Sequence, residues 1–442
     1  MWKQIFSIAV LFTASLSGCT PASEETSSPF IQVENGKFIR NGSPYYYIGA
    51  NFWYGAILAS EGTGGNRERL HRELDSLKAI GVDNLRILVG SDGKRGVPTK
   101  VEPTLQEAPG IYNDTILAGL DYLLAEMEKR DMVAVLYLNN SWEWSGGYSQ
   151  YLAWAKGDKA PVPAVDGWPA FMDYVKEFVV SDSAQALFAN HVKYILTRTN
   201  RYTHRKYTDD PTIMSWQIGN EPRAFASDSI HKAAFTEWMS KTSSLIRSLD
   251  PNHLISTGSE GKHGCEEDIA LFEKVHADTN IDYMNIHIWP YNWGWAPKDS
   301  LQENLEKACT NTQAYINEHL NIAKKYQKPL VLEEFGYPSD SFQFGKNIST
   351  HARDGYYKCI FDLIVKHATH QSLLAGCNFW GWGGLAVPSS EHVFWQSGDD
   401  YTGDPAQEEQ GLNSVFASDS STISLIHTAN KALLHKPETS SK

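Results

Sequence analysis

Cysteine is scarce in this chain, five residues in 442, and none stands in a C-x-x-C pair or at a spacing suited to a metal ion. Basic residues are short too: 39 Lys and Arg stand against 52 Asp and Glu, a formal net charge of −13. No basic stripe is left to neutralise phosphates, which excludes a nucleic-acid binder. Beyond residue 16 no apolar run is long enough to span a bilayer. A glycine-rich phosphate turn is also missing: the nearest stretch, GSEGKHG (258–264), lacks the Walker spacing and the Ser or Thr that should follow its Lys. No internal repeat is present, and no second segment carries a core of its own. What the chain has in quantity is aromatic, with 14 Trp and 21 Tyr. Aromatic rings are costly to expose and large to bury, so they imply an aromatic-rich core or flat surfaces on which a ligand such as a sugar stacks.

The first residues read as a processing signal. Lys3 supplies a positive start, and residues 5–16 form an apolar run too short to cross a membrane. Leu16-Ser17-Gly18-Cys19 resembles a bacterial lipobox. That resemblance implies cleavage before Cys19 and lipidation of its thiol. The expected location is then the bacterial cell envelope, at the outer membrane or cell surface, with membrane contact through the N-terminal lipid alone. An ordinary signal peptide with a chance cysteine is the other reading. Residues 1–18 are thus a signal, 19–29 a polar flexible tether and 30–442 a single domain. Cys265 and Cys309 lie in polar surroundings and are the expected disulfide pair; alternatively they stay free along with Cys359 and Cys377.

From residue 30 onward, short apolar strands alternate with amphipathic helices. Strand candidates are 45–51, 82–90, 132–139, 212–220, 254–258, 281–289, 328–336 and 373–381. Between them apolar residues recur at helical spacing, as in Leu70, Leu74, Leu77 and Ile80, and Asn113 and Ser181 stand as helix caps. Eight such units predict an α/β fold, a closed (β/α)8 TIM barrel with long βα loops. Residues 30–42, with an Asn35-Gly36 turn, read as a short hairpin capping the barrel bottom. The acidic run 397–410 lacks the ligand order of a calcium loop and reads as a long loop near the cleft.

Barrel active sites form at the C-terminal strand ends. Those ends carry Asn51, Arg86, Asn139, Asn220 with Glu221, His287, Glu333 with Glu334, and Trp380. Glu221 and Glu334 each follow a buried apolar strand among aromatic residues, and a facing pair of carboxyls is what cleavage of a glycosidic bond needs. Strand alternation puts Glu333 on the face opposite Glu334.

Taken in order, these motifs resemble glycoside hydrolase family 5, and within it the endo-β-1,4-mannanase branch, over about residues 30–416. Asn220-Glu221-Pro222 and Glu334-Phe335-Gly336 are the most specific elements, supported by Arg86, His287 and Trp380; the branch is indicated by NNSWEWSGGYSQYLAW (139–154) and Arg223. The resemblance implies Glu221 as general acid/base and Glu334 as an ionised nucleophile favoured by Arg86, with a covalent intermediate and retention of configuration. It also implies Asn220 on the sugar 2-hydroxyl, Trp380 as the floor under the cleaved unit, His287 as an orienting group and Arg223 on the leaving-group side. Trp53, Asn139 and Trp142 complete the expected substrate contacts. One departure stands out: the family's Tyr two residues after the His is Trp289 here, so either Trp289 substitutes as a donor or Tyr291 reaches in. The expected partner is a β-mannan or its oligosaccharides, met by a monomer without cofactor or metal. Two alternatives are a cellulase of the same family and a non-catalytic glycan-binding lipoprotein.

Overall fold

The computed structural model describes residues 28–434; the signal, Cys19 and nearly all of the tether lie outside them. Eight parallel strands form one sheet: β1 (Tyr47–Asn51), β2 (Asn84–Leu88), β3 (Val133–Tyr137), β4 (Ile213–Gln217), β5 (Leu254–Ser256), β6 (Met284–Ile288), β7 (Leu330–Phe335) and β8 (Leu374–Phe379). Every residue of these strands is buried, as in parallel sheets covered by helices. The sheet runs β5-β4-β3-β2-β1-β8-β7-β6. Its two ends are tied by Asp282 N–H donating to the Ile255 carbonyl (2.9 Å) and by Asn285 Oδ1, which accepts from Thr257 N (3.1 Å) and Gly258 N (2.9 Å). The result is a (β/α)8 barrel.

The covering helices are α1 (Arg67–Ala79), α2 (Asp114–Glu128), α3 (Asp182–Leu196), α4 (Ser229–Leu249), α5 (Ile269–His276), α6 (Leu305–Tyr326), α7 (His351–Thr369) and α8 (Ser420–Leu434). Each starts for a local reason where a cap is present: Asn113 accepts from Thr115 N and Ile116 N, Ser181 from Ala184 N, and Asp228 and Asp268 do the same for α4 and α5. The hairpin pairs Gln32–Glu34 with Lys37–Arg40. Its turn holds Asn35 at φ +50° and Gly36 at φ +73°, the left-handed geometry of a two-residue turn. Ile31 and Phe38 pack on Val133, Met214, Leu254 and Val331 at the N-terminal strand ends, closing the barrel bottom.

All four described cysteines are free, which corrects the expected Cys265–Cys309 bridge. Helix α6 turns Cys309 toward α7, where its thiol hydrogen-bonds Cys359. Cys265 is buried between β5 and α5, beside Ser259.

Helix α8 is stitched to the barrel by Asn430. Its Oδ1 accepts from Ile48 N (3.3 Å) and its Nδ2 donates to Ile48 O (3.2 Å) and Ile80 O (3.3 Å). Ile48 precedes the first β1–β2 pair, Ala50 with Leu85, so these groups have no strand partner on that side. Asn430→Ala leaves them buried and unpaired, and urea unfolding should show a loss of about 1–3 kcal/mol.

Candidate active site

Arg86 stands at the middle of β2 with no exposed surface. Its Nε–H donates to Gln217 Oε1 (2.7 Å), one terminal nitrogen donates to Asn51 Oδ1 (3.1 Å) and Glu334 Oε1, and the other donates to Asn220 Oδ1 (2.8 Å). The guanidinium lies over the Tyr137 ring, 4.4 Å from its centroid. One cation thereby fixes residues from β1, β4 and β7. Asn220 gives one amide hydrogen to Asn140 Oδ1 (3.2 Å), which leaves the second for a ligand.

Glu221 sits just past β4 with φ at +50°, a left-handed conformation that costs an L residue on the order of 1 kcal/mol and is common at functional sites. Its N–H donates to Gly258 O (2.9 Å), and its carbonyl accepts from Ser141 Oγ (2.6 Å). These bonds aim the carboxyl into the cleft. Oε1 lies 2.8 Å from His287 Nδ1, and Oε2 accepts from Trp142 Nε1 at 2.5 Å. His287 Nδ1 is also 3.3 Å from Glu334 Oε2. Glu221, His287 and Glu334 each bring one polar atom within 4.8 Å of the others. Such a trio could hold a metal ion by distance alone. Arg86 and Trp142 nevertheless already present donors to its carboxyl oxygens, and Arg86 adds a positive charge beside them.

Burial pushes the Glu334 carboxyl well above the ordinary glutamate range; the Arg86 guanidinium pulls it back and the neighbouring Glu221 carboxyl pushes it up again. Burial, reinforced by Arg86, holds His287 well below the usual histidine value, so the imidazole is neutral. No hydrogen bond at Nε2 fixes which ring nitrogen carries the proton.

Glu333 is not on the opposite face. In the β6–β7 register Ile286 pairs with Leu332 and His287 with Glu334, so Glu333 is the extra residue of a bulge. It stays inside the barrel, 3.7 Å from Arg86 Nε, where Gln217 Nε2 (2.6 Å) and Tyr283 OH (3.3 Å) donate to it.

The cleft above these groups measures about 440 Å³. Asn220, Glu221, Glu334 and Trp380 line it, as the strand-end reading expects, and so do Trp142, Arg223 and Trp289, which the resemblance added. Three expected contacts do not. Trp53 is 3% exposed; its Nε1 donates to Gly403 O (3.0 Å) and its ring is packed edge-on against Trp144 and Tyr401, leaving no face for a sugar. Asn139 lies beneath the cleft, its carbonyl accepting from Asn220 N (2.8 Å) and its Oδ1 from Asn140 N (2.8 Å). Tyr291 turns away onto Phe342, with ring centroids 4.8 Å apart. Trp289 meets Trp380 edge-on at 6.1 Å, so neither answer to the missing tyrosine supplies a donor to Glu334, whose close polar neighbours are Arg86 and His287.

A family model described as "GH family 5 beta-mannosidase-like" matches residues 28–438. The chain belongs to glycoside hydrolase family 5. It is 28% identical over 365 residues to mannan endo-1,4-beta-mannosidase 7 of Arabidopsis thaliana, covering 80% of this chain and 78% of that one. To mannan endo-1,4-beta-mannosidase 1 of Solanum lycopersicum it is 28% identical over 370 residues, 80% of this chain and 84% of that one. The crystal structure of the family 5 mannosidase from Rhizomucor miehei superposes with a TM-score of 0.83 at 32% identity, covering 92% of this chain and 98% of that one.

This family 5 glycoside hydrolase also uses residues that the strand-end reading passed over. Glu260 follows β5, is buried, and accepts from Arg223 Nε at 2.6 Å. Burial raises its carboxyl and Arg223 opposes the rise. The signal was present, because Glu260 stands at a barrel strand end within the GSEGKHG stretch that had interest only as a failed phosphate loop. Trp168, His263, Trp293, Gln407 and Glu408 line the cleft from the connections that follow the strands, where no strand end marks them.

Arg86→Lys keeps the charge but not the planar fork, and a single ammonium cannot serve Gln217, Asn51, Glu334 and Asn220 together. Burial then dominates at Glu334. The acid side of the kcat/KM–pH profile should move to higher pH, with kcat/KM down at least about tenfold and the fold intact by circular dichroism. An unmoved limb would show that Arg86 does not govern Glu334.

Proposed function

We propose that this enzyme is a retaining endo-β-1,4-mannanase working by double displacement. The observation that carries this reading is the carboxyl pair: Glu221 and Glu334 have oxygens within 4.8 Å across His287, and Arg86 sits on Glu334 alone. Retaining glycosidases hold their carboxyls at about 5–5.5 Å, close enough for one to attack while the other protonates. Glu334 attacks the anomeric carbon as the scissile C–O bond breaks, and Glu221 gives its proton to the departing oxygen. In the second step Glu221 takes a proton from water, the water oxygen bonds to the anomeric carbon, and Glu334 leaves. Asn220's free amide hydrogen is available to the 2-hydroxyl and Trp380 forms the floor. The direction of chain binding follows from Glu221: its side of the cleft, with Trp142, Arg223 and Glu260, holds the leaving group.

A second reading, removal of terminal mannosyl units, is favoured by one feature. Among the described residues lining the cleft, none comes from the segments after β1 or β2. The 385–414 loop after β8 lies across them: Tyr401 OH donates to Glu102 O, Arg69 donates to Tyr401 O (2.9 Å), and Trp53 is bonded to Gly403. Its Gln407 amide reaches Glu143 at 2.7 Å in the favourable orientation. That closes the side opposite the leaving group.

Glu221→Gln and Glu334→Gln should each lower kcat by several orders of magnitude without loss of fold, and the first product seen by proton NMR should be the β-anomer. Near-normal turnover in either variant, or first-formed α-anomer, would refute the assignment. Mannan, glucomannan, carboxymethylcellulose and xylan separate the substrates: short mannooligosaccharides from the first two fit the endo reading, mannose alone the terminal one, and activity confined to cellulose rejects both. We also place the protein at the cell envelope through Cys19; labelled palmitate should be incorporated by the full chain and lost in Cys19→Ala.

A further inference from the structure

The wall of the cleft steps outward from the acid/base. Trp142 donates to Glu221 Oε2, Arg223 lies over the Trp142 ring at 5.1 Å, and Trp168 meets Trp142 next, with ring centroids 5.9 Å apart and planes at 85°. Trp168 is the first residue of a helix, Trp168–Val175, in the segment inserted between β3 and α3, with Pro169 stiffening that first turn. A second perpendicular contact, to Phe171 at 5.8 Å and 88°, fixes the plane of the indole. Phe171 itself is fully buried, so the mount is rigid. Yet Trp168 is 48% exposed, against 3% for Trp53 and for the cleft-floor Trp380. An indole held in one orientation by Trp142 and the buried Phe171, half open to water and lining the cleft, is a preorganised apolar surface.

We propose that Trp168 is a stacking platform for a β-1,4-linked hexose unit on the leaving-group side, beyond the unit that meets Arg223. This rests on the reading of the protein as a β-mannan hydrolase. The ligand chemistry follows from the sugar. In a β-linked mannosyl unit the hydrogens on C1, C3 and C5 share one face and form an apolar patch, whereas the other face carries the axial 2-hydroxyl. An indole therefore takes the hydrogen-bearing face and leaves the axial hydroxyl outward. The position beyond Arg223 means that short substrates end before they reach the ring and longer ones cover it.

The test is the ratio of kcat/KM on mannohexaose to that on 4-nitrophenyl β-mannoside, measured in the full chain and in Trp168→Ala and Trp168→Phe. Trp168→Ala should lower the ratio about three- to tenfold, through KM, and Trp168→Phe should restore most of it. An equal loss on both substrates would mark a structural role, and an unchanged ratio would remove the platform. Should the parent chain hydrolyse no mannoside, the proposed activity falls and the platform is read by binding instead. Calorimetry of Glu334→Gln, with and without Trp168→Ala, against mannohexaose, cellohexaose and xylohexaose then decides: weaker binding of any of them in the double variant supports the platform, and unchanged or absent binding overturns it.

Discussion

A fully buried guanidinium at the axis of the barrel sets the terms for everything above it. Removing an unpaired charge of this kind from water costs several kcal/mol, so Arg86 can stay there only because its donors are met by Gln217, Asn51, Asn220 and Glu334 and its face by Tyr137. The dependence is mutual. Asn51 uses its amide nitrogen on the Glu333 carbonyl (2.8 Å), and Gln217 uses its own on the Glu333 carboxyl, so the network that satisfies Arg86 also locks the bulged end of β7. The Glu334 carboxyl is placed by the same bonds that keep the cation dry.

The loops divide the work unevenly around that centre. After β8 a single carboxylate, Asp404, accepts from the backbone of Gly411 (2.8 Å), Asn413 (2.8 Å) and Ser414 (3.2 Å), which folds the long loop into a compact lid segment over the β1–β3 side. An acidic run that reads in the sequence as a long loop near the cleft thus uses one carboxylate in its own architecture, and sets Gln407 and Glu408 at the cleft. The opposite side, beyond Glu221, is bounded by aromatic rings and the Arg223–Glu260 pair, and it opens toward Trp168. The two sides of the cleft are therefore built from different elements.

The barrel was legible because strand and helix periods differ and each strand is buried on both faces, so eight apolar runs stand out against amphipathic helices. The site was legible as far as it lies at strand ends: Arg86, Asn220, Glu221, His287, Glu334 and Trp380 converge as their positions require. What escaped depends on loop geometry or local register. Trp53 and Trp168 are the same residue type in similar company, and only the path of the 385–414 loop decides that one becomes core while the other stays open. Glu333 was misplaced because strict alternation fails at a bulge, which one sequence does not mark. Cys309 found Cys359 through the packing of α6 on α7, a contact that composition around each cysteine could not indicate.

The charge balance of the site is set by few groups. Two guanidiniums, Arg86 and Arg223, stand among four buried carboxyls, Glu221, Glu260, Glu333 and Glu334, and the intervening imidazole is neutral. Burial raises Glu260, Glu333 and Glu334; the guanidiniums oppose the rise, and neighbouring carboxyls add to it at Glu260 and Glu334. Arg86 breaks the symmetry by contacting Glu334 and not Glu221. His287 stands between the two carboxyls without adding a charge. With its proton on Nδ1 it donates to an ionised Glu221, and with the proton on Nε2 the same Nδ1 accepts from a protonated one. Glu221 is thereby hydrogen-bonded in either protonation state.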